Sequence, residues 1–146
     1  MVFASSYSVL CVAFDPQKPN ILASGSGDKT IKIWDIESGA CQSTLDVDGS
    51  ISSLDFSPCG TKIAAACNDY DNDNYTVKIL GSSSESAGTF ECKSTLRVDA
   101  GAYGLQSVSF SPKDDVIAAG CSNGKIYLVD ALAGEVKSTL AGHSDW

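Results

Sequence analysis

The chain of 146 residues is 43% apolar and carries 18 acidic against 10 basic side chains, a net charge of −8. No stretch approaches the ~18 unbroken apolar residues of a membrane span, and no Lys/Arg cluster stands ready to neutralise phosphates, so neither a membrane nor a nucleic acid is the expected partner. An acidic surface points instead to other proteins, and to their basic segments above all.

The N-terminus is apolar, but the first Lys is Lys18, so it lacks the basic opening of a secretory signal. Ser8 to Phe14 reads as a strand (a), rich in branched and aromatic residues that suit a pleated, half-buried surface. Asp15 to Asn20, with Pro16 and Pro19, cannot continue the ladder because proline has no amide hydrogen to donate. Strand b follows from Ile21 to Ser26. Gly27-Asp28-Lys29 reverses the chain into strand c, Thr30 to Asp35. Glu37-Ser38-Gly39 turns it again into a short outer strand d, Cys41 to Leu45.

The same grammar then returns twice. Val12-Ala13-Phe14-Asp15-Pro16 is echoed by Leu54-Asp55-Phe56-Ser57-Pro58 and Val108-Ser109-Phe110-Ser111-Pro112, and each is followed by a run of small apolar residues such as Ile63 to Cys67 and Ile117 to Cys121. Alternating strands c come next, Thr76 to Leu80 and Lys125 to Asp130, and Ser-Thr-Leu closes each unit, at Leu45, Leu96 and Leu140. In the third unit Asn123-Gly124 signals a hairpin whose two central residues both take positive φ. No segment keeps a helical apolar period, so each unit is expected to be a four-stranded antiparallel sheet. A repeat of roughly 40 to 50 residues means stacked copies of one unit that bury a shared core.

These residues resemble the WD-repeat β-propeller family. Trp34-Asp35 is similar to its signature pair, Leu22 to Asp35 to its repeat core, and Gly142-His143 to the motif that opens a repeat. The resemblance implies an all-β chain of propeller blades: blade one at about 8–45, blade two at about 50–96, blade three at about 105–140, and 141–146 the start of a further repeat. It also implies a structural hydrogen-bond network to which Ser24 or Ser26, Asp28, Trp34 and, for the next repeat, His143 would belong. Unit two has Leu80-Gly81 and unit three Val129-Asp130 in place of Trp-Asp, so hydrophobic packing between sheets is expected to hold more of the stack. Propellers close with four to eight blades. Two readings of the three present stay open: part of a longer protein with about seven blades, or a homo-oligomer in which chains join head to tail and close the ring.

Catalysis is not expected, since the only histidine is His143 and no nucleophile has a base beside it. Gly25 to Thr30 superficially resembles a phosphate loop, but Asp28 places a negative charge where the anion would sit. The cysteines Cys11, Cys41, Cys59, Cys67, Cys92 and Cys121 show no Cys-x-x-Cys spacing and read as free thiols of a reducing compartment, the cytoplasm or the nucleus, with no cofactor.

The most distinctive segment is Asn68 to Tyr75, read as a lengthened b–c turn of unit two. Asp69, Asp71 and Asp73 alternate like calcium ligands, but Leu80 stands where the bidentate Glu belongs and Asn74 where the turn glycine belongs. The reading carried forward is a partner-binding surface of Asp69, Tyr70, Asp71, Asp73 and Tyr75. It shares one face with the d–a connection that carries Tyr103, because b–c and d–a loops emerge together. Gly81 to Gly88 reads as a flexible loop on the opposite face, with phosphorylation of Ser82 to Ser86 a lesser reading. The expected function is a non-catalytic protein–protein interaction scaffold; the alternative is a self-assembling structural unit.

Overall fold

A computed structural model describes residues 7–83 and 89–144. The described residues form twelve strands: β1 (Val9–Phe14), β2 (Ile21–Ser26), β3 (Thr30–Asp35), β4 (Ala40–Asp46), β5 (Ser50–Phe56), β6 (Lys62–Asp69), β7 (Asn74–Ser82), β8 (Phe90–Arg97), β9 (Leu105–Phe110), β10 (Val116–Cys121), β11 (Lys125–Asp130) and β12 (Val136–Ala141). They make three four-stranded sheets, ordered β1-β2-β3-β4, β5-β6-β7-β8 and β9-β10-β11-β12. All pairs are antiparallel, as short turns between consecutive strands require. No helix among the described residues is long and apolar enough to cross a membrane.

The middle sheet explains why strand b of unit two is an unbroken apolar run. Side chains along a strand alternate between faces, and here both faces are covered. Ile63, Ala65 and Cys67 pack with Ala23, Ile31, Ile33, Leu54 and Phe56 between sheets one and two. Ala64, Ala66, Val77 and Ile79 pack with Val108, Phe110, Ile117 and Val129 between sheets two and three. Alanines at the centre let the sheets approach closely. At Gly25 the approach is closer still, since an added Cβ would lie 2.5 Å from Ile51 Cγ2.

Each c–d pair shifts register at the same place, between Ile33 and Trp34, between Ile79 and Leu80, and between Leu128 and Val129. These bulges sharpen strand twist.

The structure corrects three details of the sequence reading. Asn68 to Tyr75 is not mainly a turn: Asn68 pairs with Tyr75 and Asp69 with Asn74, so the extra residues lengthen β6 and β7. Only Tyr70 to Asp73 reverse the chain. At the other end β7 runs through Gly81 and Ser82, which pair with Glu91 and Phe90; Phe90 is held there by an edge-on contact with Phe56, centroids 6.0 Å apart. The rest of the expected serine loop, residues 84–88, lies outside the described residues, as do 145 and 146. In the Asn123-Gly124 turn, left-handed backbone falls on Gly124 alone (φ 83), as on Lys29 (φ 68) and Asp73 (φ 50) in the matching turns. Each of the three turns thus ends on one left-handed residue just before its strand c.

Candidate protein-docking face

The β6–β7 hairpin projects Tyr70 at its tip. Its hydroxyl donates to the main-chain carbonyl of Tyr103 at 3.3 Å, which ties the hairpin to the connection between β8 and β9. Both rings stay open to solvent, Tyr70 at 51% and Tyr103 at 57% exposure. The Gln106 amide donates to the same carbonyl at 2.7 Å, and the Tyr103 N–H donates to Ser122 Oγ at 3.1 Å. The Tyr103 backbone is thus fixed from two blades, while its side chain is presented outward.

Carboxylates surround this pair. Asp71 and Asp73 are exposed and Asp69 is half-buried. Asp69 accepts the Asn72 side-chain amide at 2.7 Å, and that bond is the main reason its carboxyl is held below the usual carboxylate range. Beside them a groove of about 490 Å³ is lined by Asp73, Tyr75, Arg97, Val98, Asp99, Gly101 and Ala102. Arg97 donates to the Asp73 carbonyl at 3.3 Å and so braces one wall.

Tyr75 departs from the sequence expectation. It is 6% exposed and belongs to the core between blades two and three. As a paired strand residue it points inward, and its ring meets Tyr70 edge-on with centroids 5.9 Å apart. It supports the exposed ring from below. Among the described residues no three His, Cys, Asp or Glu side chains are grouped to hold a metal ion.

The residues expected to form one network in blade one form two. The Trp34 indole N–H donates to Ser24 Oγ at 2.9 Å. Separately, Ser26 donates to the Ser8 carbonyl at 2.9 Å and accepts the Asp28 N–H at 3.1 Å. Asp28 accepts the Thr30 hydroxyl at 2.6 Å, which lowers its pKa. His143 joins neither. It is exposed, and its main chain runs beside Gly124 at the edge of a 520 Å³ recess on the uncovered flank of blade three.

A set of residues that sequence reasoning missed fixes blade three on blade two. The Asn68 side chain accepts the Leu105 N–H at 2.8 Å and donates to the Leu105 carbonyl at 2.9 Å. Ser52 donates to that carbonyl at 2.7 Å, Ser53 accepts the Val108 N–H at 3.2 Å, and Asp55 accepts the Phe110 N–H at 2.7 Å. The sequence held a hint: Ser52, Ser53 and Asp55 put polar side chains into a strand whose Ile51, Leu54 and Phe56 are buried. Because of these bonds the hairpin of blade two and the connection leading into blade three hold one geometry.

Wedge-like antiparallel sheets stacked flank to flank define a repeat protein of the β-propeller class. The sequence pattern described as WD domain, G-beta repeat matches at residues 2–35, 39–79 and 90–130, and the chain belongs to that family. The second and third matches each start in the outer strand of one blade, β4 or β8, and continue through the three inner strands of the next. Each sequence repeat therefore straddles two sheets.

Among relatives, eukaryotic translation initiation factor 3 subunit I of Drosophila virilis is 27% identical over 88% of this chain and 39% of its own length. The protein of the same name in Candida albicans is 27% identical over 88% of this chain and 38% of its own. The ribosome biogenesis protein BOP1 homolog of Brugia malayi is 31% identical over 81% of this chain and 22% of its own. The chain spans well under half the length of these curated relatives.

Proposed function

We propose that this chain is part of a non-catalytic WD-repeat scaffold that docks basic segments of partner proteins on the face formed by Asp69, Tyr70, Asp71, Asp73 and Tyr103, with Tyr75 as its floor. The observation that carries this reading is the bond from the Tyr70 hydroxyl to the Tyr103 carbonyl. It ties the hairpin that carries one exposed tyrosine and three carboxylates to the backbone of a second exposed tyrosine. Tyr is enriched at interface hot spots, its ring face attracts Lys and Arg, and carboxylates of opposite charge steer such segments in. The names of the relatives suggest that the assembly served belongs to translation initiation or ribosome biogenesis, in the cytoplasm or the nucleus.

The test uses fluorescence anisotropy with a series of short labelled peptides that differ only in their number of Lys and Arg. Affinity is expected to rise with positive charge, to fall with added salt, and to drop when Asp69, Asp71 and Asp73 are all changed to Asn. Equal binding of acidic and basic peptides, or no loss in the triple variant, would remove this assignment.

A further inference from the structure

The turn that joins β1 to β2 and the turn that joins β5 to β6 meet at the ends of the strands opposite the docking face. The Gln17 side-chain amide donates to the Pro58 carbonyl at 3.0 Å and joins the two turns. They approach so closely that a Cβ on Gly60 would lie 2.7 Å from Asp15 Oδ1. Beside this contact opens a cavity of about 280 Å³, whose walls include Asp15, Lys18, Cys59, Thr61 and Phe90.

A buried carboxylate faces that cavity. Asp15 is 4% exposed, and its Oδ1 accepts the N–H groups of Gln17 and Lys18 at 2.8 and 3.2 Å. Its Oδ2 accepts no hydrogen bond among the described residues, yet it is not sealed from solvent. Because Asp15 lines the cavity, that oxygen is the part of it a ligand would meet. A carboxylate oxygen with an open lone pair in so confined a place selects a cationic donor.

Two further groups say what carries that donor. Lys18 puts a positive charge on the cavity wall and forms no ion pair among the described residues. A site that takes an ammonium on Asp15 and a carboxylate on Lys18 fits the head of an amino acid. Cys59 is exposed on the same wall. Its N–H donates to Asp114 Oδ1 at 3.0 Å, which fixes its backbone, and the hydroxyl oxygens of Ser57 and Thr61 lie 3.5 and 2.9 Å from its sulfur. Hydroxyl donors stabilise a thiolate, the form that attacks disulfides. Phe90, held edge-on by Phe56, adds an apolar surface for the methylene groups between head and sulfur.

We propose that this cavity is a modification site at which Cys59 exchanges with a small amino-acid disulfide, the ligand's ammonium resting on Asp15 and its carboxylate on Lys18. The Cys59 thiolate attacks one sulfur of the ligand. A new S–S bond forms as the ligand's own S–S bond breaks, and the other half leaves as a thiolate that takes up the proton Cys59 gave to water. Cys59 is oxidised to the mixed disulfide and the departing half is reduced to a thiol. Cystine and oxidised glutathione share this chemistry. The site stands at the far ends of the strands from the docking face, and neither reading depends on the other.

Mass mapping of the reduced chain after brief exposure to cystine, to oxidised glutathione and to the uncharged disulfide of mercaptoethanol tests it, with the exposed Cys41 and Cys92 as internal references. The rate at Cys59 relative to those two is expected to be higher with an amino-acid disulfide than with the uncharged one. Whichever of cystine and oxidised glutathione gives the larger preference is the source. Lys18→Gln is expected to cut that preference about threefold, the scale of one exposed charge pair, and to leave the rate with the uncharged reagent as it was. Asp15→Asn is expected to cut it too. Should Asp15→Asn melt early, because Asp15 also holds its own turn, Lys18→Gln decides. An equal relative rate at Cys59 with charged and uncharged disulfides overturns the proposal, and so does a preference that Lys18→Gln leaves intact.

Discussion

The side-chain amide of Asn68 grips both main-chain groups of Leu105, accepting its N–H at 2.8 Å and donating to its C=O at 2.9 Å. An asparagine from one blade thereby acts as a strand partner for the first residue of the next blade's inner strand. Asn68 is 1% exposed, so no solvent replaces what it supplies. Asn68→Ala leaves the buried Leu105 amide unpaired and is expected to cost about 2–4 kcal/mol, the loss of two hydrogen bonds plus one stranded donor. Urea denaturation measures this. A cost below about 1 kcal/mol would mean that the grip contributes little beyond what water provides.

Gly104 makes that grip accessible. Its φ is +72, and an added Cβ would lie 2.5 Å from Asn68 Oδ1. Gly39 has nearly the same backbone, φ +73, with nothing within 4 Å of an added Cβ. Gly39→Ala is therefore expected to show only the cost of left-handed backbone, about 1–2 kcal/mol. Gly104→Ala is expected to lose clearly more, because Asn68 is fixed by its own bonds and cannot give way. Equal losses in the two variants would show that Asn68 moves freely and that the close approach carries no constraint.

The two tyrosines of the hairpin should separate binding from stability. Tyr75 is part of the core, and Tyr75→Ala is expected to destabilise the fold by about 3–5 kcal/mol, as for other large buried rings. Tyr70→Ala removes a half-exposed ring and is expected to change stability by only about 0.5 kcal/mol, while weakening a bound basic peptide by about 2 kcal/mol if the ring anchors it. Thermal melts and peptide titrations on the two variants check both halves. A Tyr70 variant that melts early but binds normally would place that ring in the fold rather than at the interface.

Most of the architecture was legible because the unit is written three times. Val12-Ala13-Phe14-Asp15-Pro16 and its echoes fix strand a and the turn after it, and the strands of blade one agree with the sequence reading to within a residue. The hairpin of blade two was misjudged because turn-forming residues such as Asn68, Asp69 and Asn74 were read by their propensities. Tertiary partners overrode them: Asn68 is held by Leu105, and Tyr75 is buried between sheets. Of the polar contacts between blades the sequence held only a hint, the polar residues of β5; their partners were not legible, since Ser53 with Val108 and Asp55 with Phe110 join residues far apart in the chain. Only the register of one sheet against the next brings them together.

The cysteines offer a test that reads burial and hydrogen bonding together. Desolvation pushes the Cys67 thiol up to about 12, and those of Cys11 and Cys121 up to about 11. Cys59 is shifted the other way by the hydroxyls of Ser57 and Thr61, whose oxygens lie 3.5 and 2.9 Å from its sulfur. The thiolate is the reactive form, so a limiting alkylating reagent near neutral pH is expected to modify Cys59 early and Cys67 last. Thr61→Val should slow Cys59 without changing the others. The buried thiols also link pH to stability. A pKa raised on folding means that the folded state favours the protonated thiol, so this stabilisation is fully present below the unfolded value of about 8.5. It is lost as pH climbs toward the folded values of about 11 to 12. Urea midpoints under reductant are therefore expected to fall above about pH 8.5, and less steeply in Cys67→Ala, which has one fewer buried thiol to ionise on unfolding. Early labelling of Cys67 in the native protein would show that the space between blades one and two opens to solvent, and would remove the basis for both expectations.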